Sequence, residues 1–309
     1  MKSTKKRMAF KRMKPYLPFY IMMLPGTIYL LINNYIPMAG LVVAFKKYSY
    51  AKGIWKSKWI GMDNFRIFFN TDMMKVIANT LGYNAVFIIL STVISVAVAI
   101  LINDIKAEKM KKLFQTIFLV PHLISIVIIA YLAYAFLAGE TGFLNNSILP
   151  LFGIEPITWY STSKYWPFIL TFVYLWKQFG YNAIIYYATI AGIDPTYYEA
   201  ASVDGAGIWT KIRCITLPEL KPTIITLTLM SIGRIFYSDF GLFYQVPMNS
   251  GSLIDATQTI DTYIYRGLIN NSNIGMSSAA CFVQSILGFI LVLTSNWVVR
   301  KISKENALF

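Results

Sequence analysis

Six long apolar runs separated by polar segments dominate the chain, at about residues 19–45, 77–102, 113–137, 165–191, 223–247 and 277–299. Each exceeds or approaches the roughly 20 apolar residues that a helix needs to cross a bilayer. The pattern predicts an all-α membrane protein with six transmembrane helices. Pro25, Asn33, Asn34 and Pro37 interrupt the first run. No small-residue cleavage site closes a short apolar core there, so the run reads as a retained helix rather than a secretion signal.

Composition agrees. Of 309 residues, 56% are hydrophobic and 14% charged, against about 45–50% and about 25% in soluble domains. The formal net charge of +14 fits basic loops beside anionic headgroups. No nucleic-acid-binding pattern accompanies it. Cys214 and Cys281 have no metal or redox spacing, and their different expected depths argue against a disulfide. The lone histidine, His122, follows Pro121 and reads as a packing residue at a kink. No metal site is expected.

Lys and Arg set the orientation. With a cytoplasmic N-terminus, 17 of the 28 fall in inside segments: the 1–18 leader, 103–112, 192–222 and the 301–309 tail with Arg300. Nine fall outside, seven of them in 46–76, a block that runs against the bias. The balance predicts N-in, C-in, with a transmembrane domain over 19–300. Trp55, Trp59, Trp159 and Trp166 then fall near the outer interface as an aromatic belt.

The longest inside loop, 192–222, has a readable design. Asp194 is an N-cap candidate and Pro195 suits the first helical position. A short helix over 196–203 follows, then Gly205 and Gly207 allow a reversal. A second short helix, 208–215, places Ile208, Ile212 and Ile215 on one side. Pro218 and Pro222 lead into the next run. These residues suit either a helix–turn–helix finger in the cytoplasm or an amphipathic loop on lipid.

Glu199, Ala200, Ala201, three residues, Gly205, nine residues, then Ile215, Leu217 and Pro218 complete the pattern EAA-x3-G-x9-I-x-L-P. It resembles the EAA signature of permease subunits of binding-protein-dependent ABC importers, in identity and in spacing. Asp204, Gly205 and Ala206 look like the DGA of the carbohydrate-uptake branch. Gly61, Asn64 and Phe65 resemble its G-x-x-N-F element, and Trp176, Gly180 and Asn182 its W-x-x-x-G-x-N stretch. Residues 238–245 and 260–266 look like the oligosaccharide and aldouronate (LplB-type) subgroup of this MalF-like, type I architecture.

The resemblance implies that the 192–222 finger is a coupling helix docking in a groove of a cytoplasmic ATPase. It implies further partners: an ATPase dimer that holds ATP and Mg, a second permease subunit, and an extracellular solute-binding protein delivering an oligosaccharide. It implies no cofactor in this chain, and a multi-pass location in a bacterial plasma membrane. Consistently, no G-x-x-x-x-G-K-[ST] phosphate loop occurs. Loops on the outer side are about 30 residues or shorter, below the usual floor of roughly 50 for a domain. Glu199, Lys211 and Arg213 supply charges beside the finger's apolar side.

Charges deep in a span are functional candidates, and each extends into a stripe at helical spacing. In the fifth run the stripe is Arg234, Tyr237, Ser238, Gly241, Tyr244 and Gln245. In the fourth it is Tyr174, Lys177, Gln178, Tyr181 and Asn182, with Trp176 nearby. Such faces suit sugar hydroxyls and ring stacking; they equally suit helix-to-helix bonding. Arg234 and Asp239 are about 140° apart on a helix, so pairing them needs a broken helix or an interhelical partner; Gly233 and Gly241 allow local unwinding there. If both cations line the route, an anionic, uronic-acid oligosaccharide is favoured. Ser277, Cys281, Gln284, Ser285 and Gly288 read as packing positions.

Two rival classes remain. A secondary, ion-coupled transporter explains midplane charges but leaves the EAA finger unexplained, and no inverted repeat is evident. A membrane enzyme needs a catalytic constellation, and none is evident.

Overall fold

The computed structural model describes residues 14–66, 71–269 and 273–302. Most of the basic leader and of the C-terminal tail therefore lies outside the described residues. The chain divides into two compact units, one of 1–68 with 273–282, the other of 69–272 with 283–309.

The first unit opens with α1 (Leu17–Leu30), which continues through a π turn, Leu31–Tyr35, and ends at Phe45. Asn33 accounts locally for the widened turn by donating to the Tyr29 carbonyl at 3.0 Å. A two-stranded hairpin follows at once: β1 (Lys46–Lys47) pairs antiparallel with β2 (Lys58–Trp59). Asn64 fastens it by donating to the carbonyls of Ala44 and Lys46 at 2.8 and 3.0 Å.

The second unit is built on α2 (Thr71–Asp104) and α5 (Trp166–Ala191). Between them in sequence come α3 (Glu108–Leu123) and α4 (Ile126–Leu137). A core of Tyr83, Phe87, Ile129, Trp166, Leu170 and Phe243 ties these helices together. A second cluster, Val96, Ala99, Tyr186, Ile190 and Leu220, lies towards the other end of α5. Gly180 is needed where α5 meets α3: a Cβ there would fall 1.8 Å from the Phe118 carbonyl oxygen.

The remaining elements are α6 (Pro195–Val203), α7 (Ile208–Lys211), α8 (Leu217–Ile232), α9 (Phe240–Gln245), α10 (Ile260–Ile269) and α11 (Ile274–Ile302). A π turn, Ile212–Thr216, joins α7 to α8.

Among the described residues three helices are long and apolar enough to cross a membrane: Leu17–Phe45, Met73–Asp104 and Ile274–Lys301. A fourth span arises if α3 and α4 count as one, although they bend by 93°. Three expectations need correction. The third apolar run is two helices, because the chain turns extended at Ile124 and Ser125. The fifth run is not one helix: α8 stops at Ile232 and α9 begins at Phe240. Trp166 is fully buried, its indole N–H donating to the Trp159 carbonyl at 2.8 Å, so it is a core residue and not an interfacial ring.

Candidate functional site

Two regions carry functional geometry. The first is the finger between α5 and α8. Asp194 caps α6 as its position suggests, accepting from the Thr196 N–H at 2.9 Å. That bond holds the Asp194 carboxyl below the usual carboxylate range. At the far end, the Ala206 N–H donates to the Ala201 carbonyl at 2.9 Å and the Gly205 N–H to the Ser202 carbonyl at 3.1 Å. This pair is a Schellman cap, and Gly205 is its left-handed residue, at φ +75°.

The EAA-x3-G spacing thus acquires a physical meaning. Its second alanine supplies the carbonyl that closes the helix, and its glycine supplies the reversal. Gly207 differs from expectation: its φ of −70° is open to any residue.

Two side-chain bonds then tie the halves of the finger. The Tyr198 hydroxyl meets the buried Thr216 hydroxyl at 2.9 Å, and the Lys211 ammonium donates to Ser202 Oγ at 2.7 Å. Lys211 is thereby engaged inside the finger, while Glu199, Ala200, Asp204 and Arg213 are exposed. Ile212 and Ile215 are half-buried, and Leu217 and Pro218 are exposed where α8 begins. The exposed apolar tip is Ile208 with two residues absent from the sequence reading, Val203 (88% exposed) and Trp209 (79%). A tryptophan at a loop tip beside the expected docking segment was the available signal.

The second region is the interruption between α8 and α9. Backbone that leaves a helix away from water must find partners within the protein, since each unmet group costs roughly several kcal/mol. Here local turns meet some groups, the Arg234, Ile235 and Tyr237 N–H groups donating to the carbonyls of Ser231, Ile232 and Arg234, and polar side chains from elsewhere in the chain meet others. Asn84 of α2 donates to the carbonyls of Ile235 and Tyr237 at 2.7 and 3.1 Å. Gln284 of α11 donates to the Phe236 carbonyl at 2.7 Å. Asp261 of α10 accepts from the Ser238 N–H at 2.6 Å and the Ser238 hydroxyl at 2.8 Å. The Thr259 hydroxyl oxygen lies 2.6 Å from the same Ser238 oxygen, within hydrogen-bond distance. Gly233 and Gly241 leave room for Val292 and Ile126, which a Cβ would meet at 2.7 and 2.6 Å.

This unwound segment borders a polar cavity of about 420 Å³, lined by Asn84, Phe87, Ile88, Tyr174, Gln178, Ser231, Arg234, Tyr237, Ser238 and Asp239. Two aromatic walls are fixed: Tyr174 stacks on Phe87 at 3.9 Å, and the Tyr237 hydroxyl meets Ser285 Oγ at 3.2 Å. Asp239 caps α9, accepting from the Leu242 N–H at 3.1 Å. Among the described residues the Arg234 guanidinium has no hydrogen-bond or ion-pair partner within 4 Å, Asp239 included. It is exposed to the cavity and is the cation of its described lining.

Other candidates fall elsewhere. Lys177 donates to the carbonyls of His122 and Ile124 at 3.1 and 2.6 Å, at the bend between α3 and α4. A cation at a helix C-terminus is favourable, and here it also occupies carbonyls that the bend frees. His122 Nδ1 lies 3.1 Å from Gln178 Oε1, and its ring stacks on Tyr181 at 4.5 Å. Asn182 donates to Ser91 between α5 and α2 at 3.0 Å. Trp176 lines an apolar groove with Ile129 and Phe172. Tyr244 packs against Phe240 and Tyr265, and Gln245 ends α9 outside the cavity lining.

Asp261 gives a direct test. Replacing it by alanine leaves the Ser238 N–H unmet, at a cost of about 1–3 kcal/mol. The expected outcome is a melting temperature several degrees lower in detergent micelles together with reduced uptake; unchanged values for both contradict the clamp.

Residues 91–304 match the family model described as "Binding-protein-dependent transport system inner membrane component". The chain is 34% identical to Protein LplB of Bacillus subtilis (strain 168), over 93% of this chain and 90% of that one. It is 32% identical to the polygalacturonan/rhamnogalacturonan transport system permease protein YteP of the same organism, over 99% and 94%. Among solved structures, a chain of a bacterial ABC transporter that imports the acidic polysaccharide alginate superposes with a TM-score of 0.87 at 32% identity, covering 96% of this chain and 99% of that one. A complex of the bacterial alginate transporter with its alginate pentasaccharide-bound periplasmic protein gives 0.86, also at 32%.

Proposed function

The chain belongs to the family of binding-protein-dependent transport system inner membrane components, and from that premise we propose that it forms the pathway half-channel for an acidic oligosaccharide. As a permease subunit of a carbohydrate ABC importer it is a multi-pass protein of the bacterial plasma membrane and not an enzyme; ATP hydrolysis in this family belongs to a separate chain.

The observation that carries the reading is the clamped interruption at 233–239, which holds a free guanidinium and tyrosine rings in a polar cavity. Rigid rings offer faces for pyranose C–H groups, and Arg234 offers charge-assisted bonds to a carboxylate. Two relatives handle uronate polymers by their names, polygalacturonan and alginate, which supports an acidic solute. In this reading Arg234, Tyr237, Ser238, Tyr174 and Gln178 touch solute, whereas Lys177, Asn182 and Trp176 position the helices around them.

The chain crosses the bilayer six times with both ends inside. α3 with α4, α5, and α8 with the 233–247 segment complete the set begun by the three long apolar helices. The domain over 19–300 then lies between the 1–18 leader and the 301–309 tail, and the finger of 192–222 projects into cytoplasm. A second permease subunit and a solute-binding protein complete the outer assembly. The finger tip, Val203, Ile208 and Trp209, inserts into an ATPase whose dimer binds ATP and Mg.

Co-purification tests the assembly. A tagged chain retains its ATPase through a wash, and Trp209→Ala weakens that retention by about 30-fold, the roughly 2 kcal/mol of a buried interfacial tryptophan. Equal retention by the variant contradicts the docking surface.

A further inference from the structure

The hairpin that follows the first span carries a surface outside the cavity and the finger described above. Four lysines, Lys47, Lys52, Lys56 and Lys58, are exposed on it, and no acidic residue occurs from 46 to 62. Three large rings are exposed among them: Tyr50 (73%), Trp55 (75%) and Trp59. Register sets Lys47 directly opposite Lys58. Like charges facing each other across a strand pair are destabilising, so the pairing calls for an anion to offset it.

The surface is built, not loose. Lys46 is buried, and its ammonium donates to the carbonyls of Ile54 and Trp55 at 3.0 Å each. The Ser57 hydroxyl donates to the Gly53 carbonyl at 2.6 Å and accepts from the Ser49 N–H at 3.0 Å. Trp59 lies parallel to Phe45, the last residue of the first span, at 5.6 Å, and the Ile60 N–H donates to the Phe45 carbonyl at 3.0 Å. These contacts fix the hairpin at the end of the apolar helix.

We propose that this hairpin binds anionic phospholipid headgroups, its lysines pairing with phosphates and its tryptophans lying in the interface. Continuity with the span selects lipid: the depth of Trp59 is tied to Phe45, and rings that are apolar with one polar edge favour that layer. Near an anionic surface each lysine strengthens binding by roughly fivefold. The basic block that ran against the charge bias in the sequence thereby acquires a role. The proposal rests on the membrane span of Leu17–Phe45 and not on the identity of the solute.

Tryptophan quenching tests it. The full chain is reconstituted with brominated phosphatidylglycerol or brominated phosphatidylcholine at equal mole fraction, and the signal of Trp55 and Trp59 is taken as the difference from W55F/W59F. The expected result is several-fold stronger quenching by the anionic lipid, lost in K47Q/K52Q/K56Q/K58Q. Equal quenching by both lipids overturns the selectivity, and quenching by neither overturns the headgroup placement. If soluble oligogalacturonate displaces the signal while lipid charge has no effect, the hairpin is a solute surface and the lipid assignment fails. None of these readouts involves uptake, so failure of the solute reading leaves the test intact.

Discussion

Uptake falls by roughly tenfold or more when Gly205 is replaced by leucine, while the chain still inserts and accumulates in the membrane. The reason is backbone, not space. A Cβ at this position meets nothing within 4 Å, but φ is +75°. That left-handed conformation costs an L-residue about 1–2 kcal/mol. The strain is relieved by opening the Schellman cap, which frees the Ala201 carbonyl and re-aims α7 with Ile208 and Trp209. Asparagine tolerates the left-handed region, so Gly205→Asn is expected to retain more uptake than Gly205→Leu. Uptake normalised to membrane abundance is the measurement; normal transport by the leucine variant contradicts the hinge.

Arg234→Gln is expected to lower uptake of a uronic-acid oligosaccharide strongly and that of a neutral one of equal length little. A hydrogen bond to a charged group contributes about 1.5–3 kcal/mol, so the acidic substrate loses roughly 10- to 150-fold in apparent affinity. The side chain has no partner within the described chain, so its removal breaks no internal ion pair and the folded state is little affected. Equal loss for both substrates removes the acid-selective role and leaves Arg234 a structural cation.

Local signals made the finger legible. Asp194, Pro195, Ala201 and Gly205 act within one or two turns of themselves, so spacing alone predicts the cap, the start and the reversal. Gly207 looked like part of the same turn but has ordinary backbone angles, because the cap needs one left-handed residue only. Helix continuity was less legible. Apolar content reports burial in lipid, not unbroken hydrogen bonding, and the break in 223–247 is marked only by Gly233, Gly241 and the polar Arg234, Ser238 and Asp239. What stabilises that interruption comes from far along the chain: Asn84 is 151 residues from Ile235, and Gln284 is 48 from Phe236. No window along the sequence contains both partners. A further hint was the presence of Asn84 and Gln284 within apolar runs, where an amide must find a partner. Lys177 shows the converse. Its depth suggested the route, yet the bend between α3 and α4 offers it two carbonyls, a feature invisible in the fourth run itself.

The central claim is that the 194–216 finger faces the cytoplasm and meets a separate motor. Val203 lies at its tip and is 88% exposed, so a Val203→Cys variant, with Cys214 and Cys281 replaced by serine, reports directly on that surface. A membrane-impermeant maleimide is expected to label it in inside-out vesicles and not in right-side-out ones, with labelling suppressed once the ATPase is assembled. Labelling from the outside, or labelling indifferent to the ATPase, contradicts the account.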